Sequence, residues 1–149
     1  VSSVKFSPNG KRIASAGADG LVLIWLTATG QLDRRFEGHS QGVSDVVWSP
    51  DGAFVTSASD DGTLRTWSLA SGQCIRSLVG HTNFVLCVDY APNGNMIASG
   101  SFDETVRLWD AKQGRALKVL PAHSEAVSAV NFCSDGNLLV SASYDGLVR

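Results

Sequence analysis

One twelve-residue stretch recurs along this chain at a fixed interval, and that recurrence restricts its possible folds more than any other feature. Ser99–Asp110 reads SGSFDETVRLWD, and 42 residues earlier Ser57–Ser68 reads SASDDGTLRTWS. Another 42 residues back, Ser15–Leu26 reads SAGADGLVLIWL, and a further copy opens at Ser141 as SASYDGLVR. A period in this range marks a solenoid or a propeller, because each unit buries its apolar face only against its neighbours.

Four strand signals follow one another within each period. The first is VSSVKF (Val1–Phe6), echoed by VSDVVW, VLCVDY and VSAVNF. Its fourth and sixth positions are apolar in every copy, the two-residue alternation of a strand with one buried face. These pairs are Val4/Phe6, Val46/Trp48, Val88/Tyr90 and Val130/Phe132. The turns SPNG, SPDG, APNG and CSDG come next, with residue types suited to a tight type I turn. The second strand is rich in small residues (RIASAG, FVTSAS, MIASGS, LLVSAS), which lets neighbouring sheets approach closely. The third follows an Asp turn and ends at Trp25, Trp67 and Trp109; the fourth reads QLDRRF, QCIRSL and RALKVL. Gly38-His39, Gly80-His81 and Ala122-His123 then restart the cycle.

Four short antiparallel strands per unit describe a propeller blade, so the expected fold is an all-β propeller portion. Its blades span residues 1–37, 38–79, 80–121 and 122–149, the last with three strands. Closing a seven-bladed ring calls for further blades beyond Arg149; the alternative is two copies meeting face to face in a closed ring of about eight blades.

Composition narrows the partners. Apolar residues make up 44% and charged ones 17%, the balance of a globular chain. With a formal net charge of -2 and only the pairs Lys11-Arg12 and Arg34-Arg35, direct nucleic-acid binding is not expected. The longest apolar run, Leu21–Leu26, is far short of a membrane span, and Val1 opens into a strand pattern rather than a signal peptide. Cys74, Cys87 and Cys133 fit neither a disulfide framework nor a zinc motif and read as reduced, core-filling residues of an intracellular protein. No cofactor or metal is expected.

A polar constellation recurs in register. It comprises the turn Asp (Asp19, Asp61, Asp103, Asp145), the Ser four before it (Ser15, Ser57, Ser99, Ser141), the Trp six after it (Trp25, Trp67, Trp109), and His39, His81 and His123. A Ser-His-Asp hydrolase triad uses these residue types, but catalysis needs one copy in one pocket, and this set recurs in every unit. An imidazole can link a carboxylate to a hydroxyl, on which the indole N–H can finish. Such a network is expected to pin each blade's outer edge to the loop leading to the next, which leaves no spare general base. The expected function is therefore not enzymatic.

Gly-His, the turn Asp, and Trp109-Asp110 resemble the WD40 repeat family over the whole chain, with Leu26 and Ser68 in place of the second Asp and Ala122 in place of a Gly. The resemblance implies a non-catalytic propeller that binds peptides on its top face and in its central channel. SGSFDETVRLWD, LPAHSEAVSAVNF and SASYDGLVR are further similar to the WD-repeat subunit of histone H3 lysine-4 methyltransferase (COMPASS/MLL-type) complexes. That likeness implies a nuclear scaffold whose channel takes an arginine side chain from a methyltransferase subunit or the histone H3 tail. It carries over Ser2, Ala18, Ser44, Asp60, Phe102, Ser128 and Tyr144 as pocket lining, with Asp60 on the peptide backbone or amino end and Ser44 near the guanidinium. Leu86 stands where the family member stacks an aromatic, and loses a cation–π contribution of about 0.5–2 kcal/mol.

The residues also carry a physical case. Ser2, Ser44 and Ser128 share one position on the first strands, and Asp60, Phe102 and Tyr144 each precede the turn Asp. A carboxylate flanked by aromatics suits a cationic side chain. The alternative is that Phe102 and Tyr144 pack against neighbouring loops.

Overall fold

The computed structural model describes residues 1–149 as fourteen strands and no helix. The first sheet is β1 (Ser3–Phe6), β2 (Arg12–Ala16), β3 (Val22–Leu26) and β4 (Leu32–Phe36). The second holds β5 (Val43–Trp48), β6 (Phe54–Ser59), β7 (Thr63–Ser68) and β8 (Cys74–Val79), and the third β9 (Val85–Tyr90), β10 (Met96–Ser101), β11 (Val106–Asp110) and β12 (Ala116–Leu120). In each, strand order follows chain order and every pairing is antiparallel. A fourth sheet pairs β13 (Val127–Phe132) with β14 (Leu139–Ser143). The three strands expected there reduce to two, because the third is a single bridge from Ala142 to Val148, flanked by reciprocal 2.9 Å bonds between Ser141 and Arg149.

The first hairpin turn of each sheet forms as its residue types require. In the second sheet, Asp51 Oδ1 accepts from the Ser49 hydroxyl (2.6 Å) and the Ala53 amide (3.0 Å), and Gly52 closes the turn at φ 70°. An exception to turn chemistry lies between β10 and β11. Glu104 takes φ 71° where the other three repeats place glycines 20, 62 and 146. This left-handed backbone costs a non-glycine residue about 1–2 kcal/mol.

The sheets stack face to face with β1, β5, β9 and β13 side by side along the inner edge. Ala14, Val22 and Ile24 of the first sheet meet Val46, Trp48 and Trp67 of the second in one core. The second and third sheets share another, with Leu64 and Leu78 against Val88, Ile97 and Trp109. A smaller core joins Ala98 and Val106 to Val127 and Val130. The close approach expected from the small-residue strands is visible at Gly100, where an added Cβ would lie 2.6 Å from both Cys87 Sγ and Val127 Cγ1. The second sheet is covered on both faces, and the third over its inner strands, with Leu117 and Val119 of β12 left exposed. On the outer face of the first sheet Val4 and Phe6 are 55% and 64% exposed, whereas their counterparts Val46 and Trp48 are 0% and 6% exposed.

Candidate functional site

Strand direction sorts the loops onto two ends. The upper end carries the β2–β3, β6–β7 and β10–β11 turns and the loops between sheets; the lower end carries the remaining hairpin turns. Upper-end geometry begins with the recurring polar sets. His39 Nδ1 lies 2.8 Å from Asp61 Oδ2 and Nε2 lies 2.7 Å from Ser57 Oγ, which also accepts from Trp67 Nε1 at 2.9 Å. His81, Asp103, Ser99 and Trp109 repeat this with every bond at 2.8 Å. His123 reaches Asp145 and Ser141 at 2.9 Å each. Trp25 donates to Ser15 at 2.8 Å, and Asp19 accepts from the Leu21 amide; no histidine joins this first set.

Each histidine therefore serves the sheet that its loop enters, not the one just completed. The up-and-down course brings the β4–β5 loop to the same end as the β6–β7 turn, within reach of Asp61. An added Cβ at Gly38 or Gly80 would press on the Trp67 or Trp109 ring at 3.1 Å and on the flexible end of Arg65 or Arg107.

Protonation follows from the bonding pattern. Burial would raise the Asp61 and Asp103 carboxyls, but hydrogen bonds from Thr63 and His39, and from Thr105 and His81, hold both down to about 2. Burial lowers His39 and His81, against the pull of their aspartates. A neutral imidazole then donates from Nδ1 to the carboxylate and accepts the seryl proton at Nε2, while the indole donates to the seryl oxygen. Every polar atom is used. Ser57 and Ser99 have no exposed surface, so neither hydroxyl can reach a substrate carbonyl.

The eight residues singled out for peptide binding divide into groups. Ser44 Oγ donates to Asp60 Oδ1 at 2.8 Å, and both side chains are half-buried. Ala18 adjoins them, since a Cβ on the intervening Gly42 would sit 3.2 Å from Ala18 Cα and 3.4 Å from Asp60 Oδ2. Asp60 also lines a cavity of about 200 Å³ with Asn83 and Phe84. Ser2, Leu86 and Ser128 instead line a cavity of about 450 Å³ along the inner strands. Phe102 packs edge-on against Phe84, ring centroids 6.2 Å apart, yet the two remain 51% and 44% exposed. Phe102 thus both packs against a loop and faces solvent. Tyr144 is 69% exposed, its backbone amide bonded to the Ala126 carbonyl.

Sequence reasoning passed over three residues here. Phe84 completes the rim, as an aromatic next to the second residue of the loop after His81. Asp45 and Asp89 line the inner-strand cavity together with Lys5. Asp45 accepts from Ser3 Oγ (2.8 Å) and the Val88 amide (3.1 Å), so one carboxylate braces β1, β5 and β9. Asp89 accepts from the Phe132 amide at 2.7 Å, and burial raises its carboxyl. The available signal was that these positions break the repeat: 3, 45, 87 and 129 hold Ser, Asp, Cys and Ala, and 5, 47, 89 and 131 hold Lys, Val, Asp and Asn. Beside Asp45, burial pushes the Cys87 thiol up to about 12, leaving it a neutral core group.

A family model described as "WD domain, G-beta repeat" matches residues 1–25, 30–68, 72–110 and 114–149. Each match after the first begins with the outermost strand of one sheet and continues through inner strands of the next. Residues 30–68 accordingly contain a whole set: His39, Ser57, Asp61 and Trp67.

Proposed function

The chain belongs to the WD40 repeat family, whose repeats indicate a non-catalytic scaffold for protein–protein interaction, and from that premise we propose that it binds an arginine-bearing peptide at its upper rim and central channel. The partner in this reading is a methyltransferase subunit or the histone H3 tail, inside a nuclear histone methyltransferase complex. The observation that carries it is the half-buried Asp60 carboxylate, fixed by Ser44 and bordered by Phe84, with Phe102 packed against that ring. A fixed carboxylate beside aromatic faces suits a guanidinium, which is planar, always charged and weakly hydrated. The inner-strand cavity adds Asp45 and Asp89 below. Ser2 and Ser128 supply hydroxyls on its wall, and Leu86 an apolar one.

Fluorescence anisotropy with an H3 N-terminal peptide and its Arg-to-Lys counterpart tests this. The arginine peptide should bind tighter, and Asp60→Ala should weaken it about ten- to hundredfold, the loss of one charge-assisted hydrogen bond. Equal affinity for both peptides, or an unaffected Asp60→Ala chain, would overturn the reading. Leu86 favours a second one, an adaptor of a signalling, splicing or ubiquitin-ligase complex that makes no use of guanidinium stacking. A pull-down recovering such partners without methyltransferase subunits would decide for it.

A further inference from the structure

The repeat makes the sheet interfaces directly comparable, and one of them is chemically different. Where the first and second sheets meet, Ala14 pairs with Ile24, and Trp48 belongs to the same core. Where the third and fourth meet, the corresponding residues are Ala98, Leu108 and Phe132. Between the second and third sheets these positions hold Thr56, Thr66 and Tyr90, all buried. Two apolar versions of one interface show that the fold does not require hydroxyls there, and burying them costs stability unless they are bonded.

They are bonded as a directed chain. The Thr56 and Thr66 hydroxyls lie 2.9 Å apart, and Thr56 Oγ1 donates to the Tyr90 hydroxyl oxygen at 3.2 Å. Thr66 therefore donates to Thr56, and the Tyr90 O–H proton is left without an acceptor in the protein. Burial raises the Tyr90 hydroxyl above its ordinary range, so it stays protonated at neutral pH.

Tyr90 and Thr66 form part of the wall of a lower-end cleft of about 450 Å³, on the opposite side of the sheets from the rim. Arg76 and Lys112 also line it, as do Asn93 and Asn95. No carboxylate pairs with Arg76 or Lys112. Asp51 lines the cleft as well, its Oδ1 held by its own turn through Ser49 and Ala53, so the cations outnumber the carboxylate two to one. Arg76 Nε donates to the Lys112 carbonyl, which fixes the stem and leaves the outer guanidinium nitrogens free. Two unpaired cations, two amides and an unused O–H donor together match a carboxylate.

We propose that this cleft receives a glutamate or aspartate side chain of an acidic peptide segment, held between Arg76 and Lys112 with Tyr90 donating to it. The site is independent of the rim, so a peptide at Asp60 and one here can be bound by different partners of one scaffold.

An NMR titration of the full chain with Ac-Gly-Glu-Leu-Glu-Gly-amide and its glutamine counterpart tests the proposal. The acidic peptide should give saturable shifts at the Asn93, Gly94, Asn95 and Lys112 amides. Its affinity should fall at least about tenfold in Lys112→Glu, an exposed position that leaves folding intact, and several-fold in the nearly isosteric Tyr90→Phe. Equal binding of the glutamine peptide, undiminished affinity in either variant, or shifts absent or confined to the upper rim would each overturn it.

Discussion

Replacing Ser99 by alanine isolates the structural use of the recurring polar sets. Its hydroxyl accepts from Trp109 Nε1 and bonds His81 Nε2, both at 2.8 Å, and Ser99 has no exposed surface. Alanine fills nearly the same space, so the change leaves two buried polar groups unpaired rather than opening a cavity. Each costs about 1–3 kcal/mol, which predicts a loss of about 2–6 kcal/mol. Against a typical total of about 5–15 kcal/mol, that is a large fraction of the stability. Ser15→Ala supplies the control. Ser15 serves only Trp25, which is half-buried and open to water, so its loss should cost under about 1 kcal/mol. Urea denaturation of both variants measures the contrast, and adding Trp109→Phe to Ser99→Ala should reveal a coupling of at least about 1 kcal/mol. A Ser99→Ala cost no larger than that of Ser15→Ala would refute the reasoning.

Three further perturbations have definite signs. His39 and His81 are lowered in the fold, so the stability they contribute is complete above the unfolded value of 6.5 and declines as pH falls below it. Asp61 and Asp103 add a second decline between about pH 4 and pH 2, below their unfolded 3.8 and through their folded value of about 2, so urea midpoints against pH should show two steps. Gly100→Ala drives a Cβ into Cys87 and Val127 and should destabilise by about 1–3 kcal/mol, with partial rescue by Val127→Ala in thermal melts. Glu104→Gly removes left-handed strain of about 1–2 kcal/mol against about 0.5–1 kcal/mol of added chain entropy, and should stabilise by about 0.5–1 kcal/mol in the same melts.

What the sequence made legible is what repeats. Period, strand order, turn chemistry and the residues of each Asp–His–Ser–Trp set all follow from positions 42 apart. The partner of each histidine did not, because a linear repeat has no marked beginning, and the bonded unit starts one strand earlier than the sheet. Residues that depart from the repeat were the harder ones. Asp45 and Asp89 only alternate with the apolar strand positions in the sequence, and their partners emerge where β1, β5, β9 and β13 come together around them. Thr56, Thr66 and Tyr90 lie on three strands of two sheets, and only their packing makes one hydroxyl chain of them. The eight peptide-binding positions looked like one site because they share repeat positions. Ser44, at the same strand position as Ser2, Leu86 and Ser128, bonds Asp60, while those three line the inner-strand cavity, so Ser44 stands between the turn residues and the inner wall.

The most direct test of the scaffold reading is a site-resolved one: titrate an arginine-bearing H3 N-terminal peptide into the isotopically labelled chain and map the amide shifts. The account predicts saturable shifts at Ser44, Asp60, Phe84, Leu86 and Phe102, with the lower-end turns unmoved. Shifts confined to the lower end, or none that saturate, would contradict it.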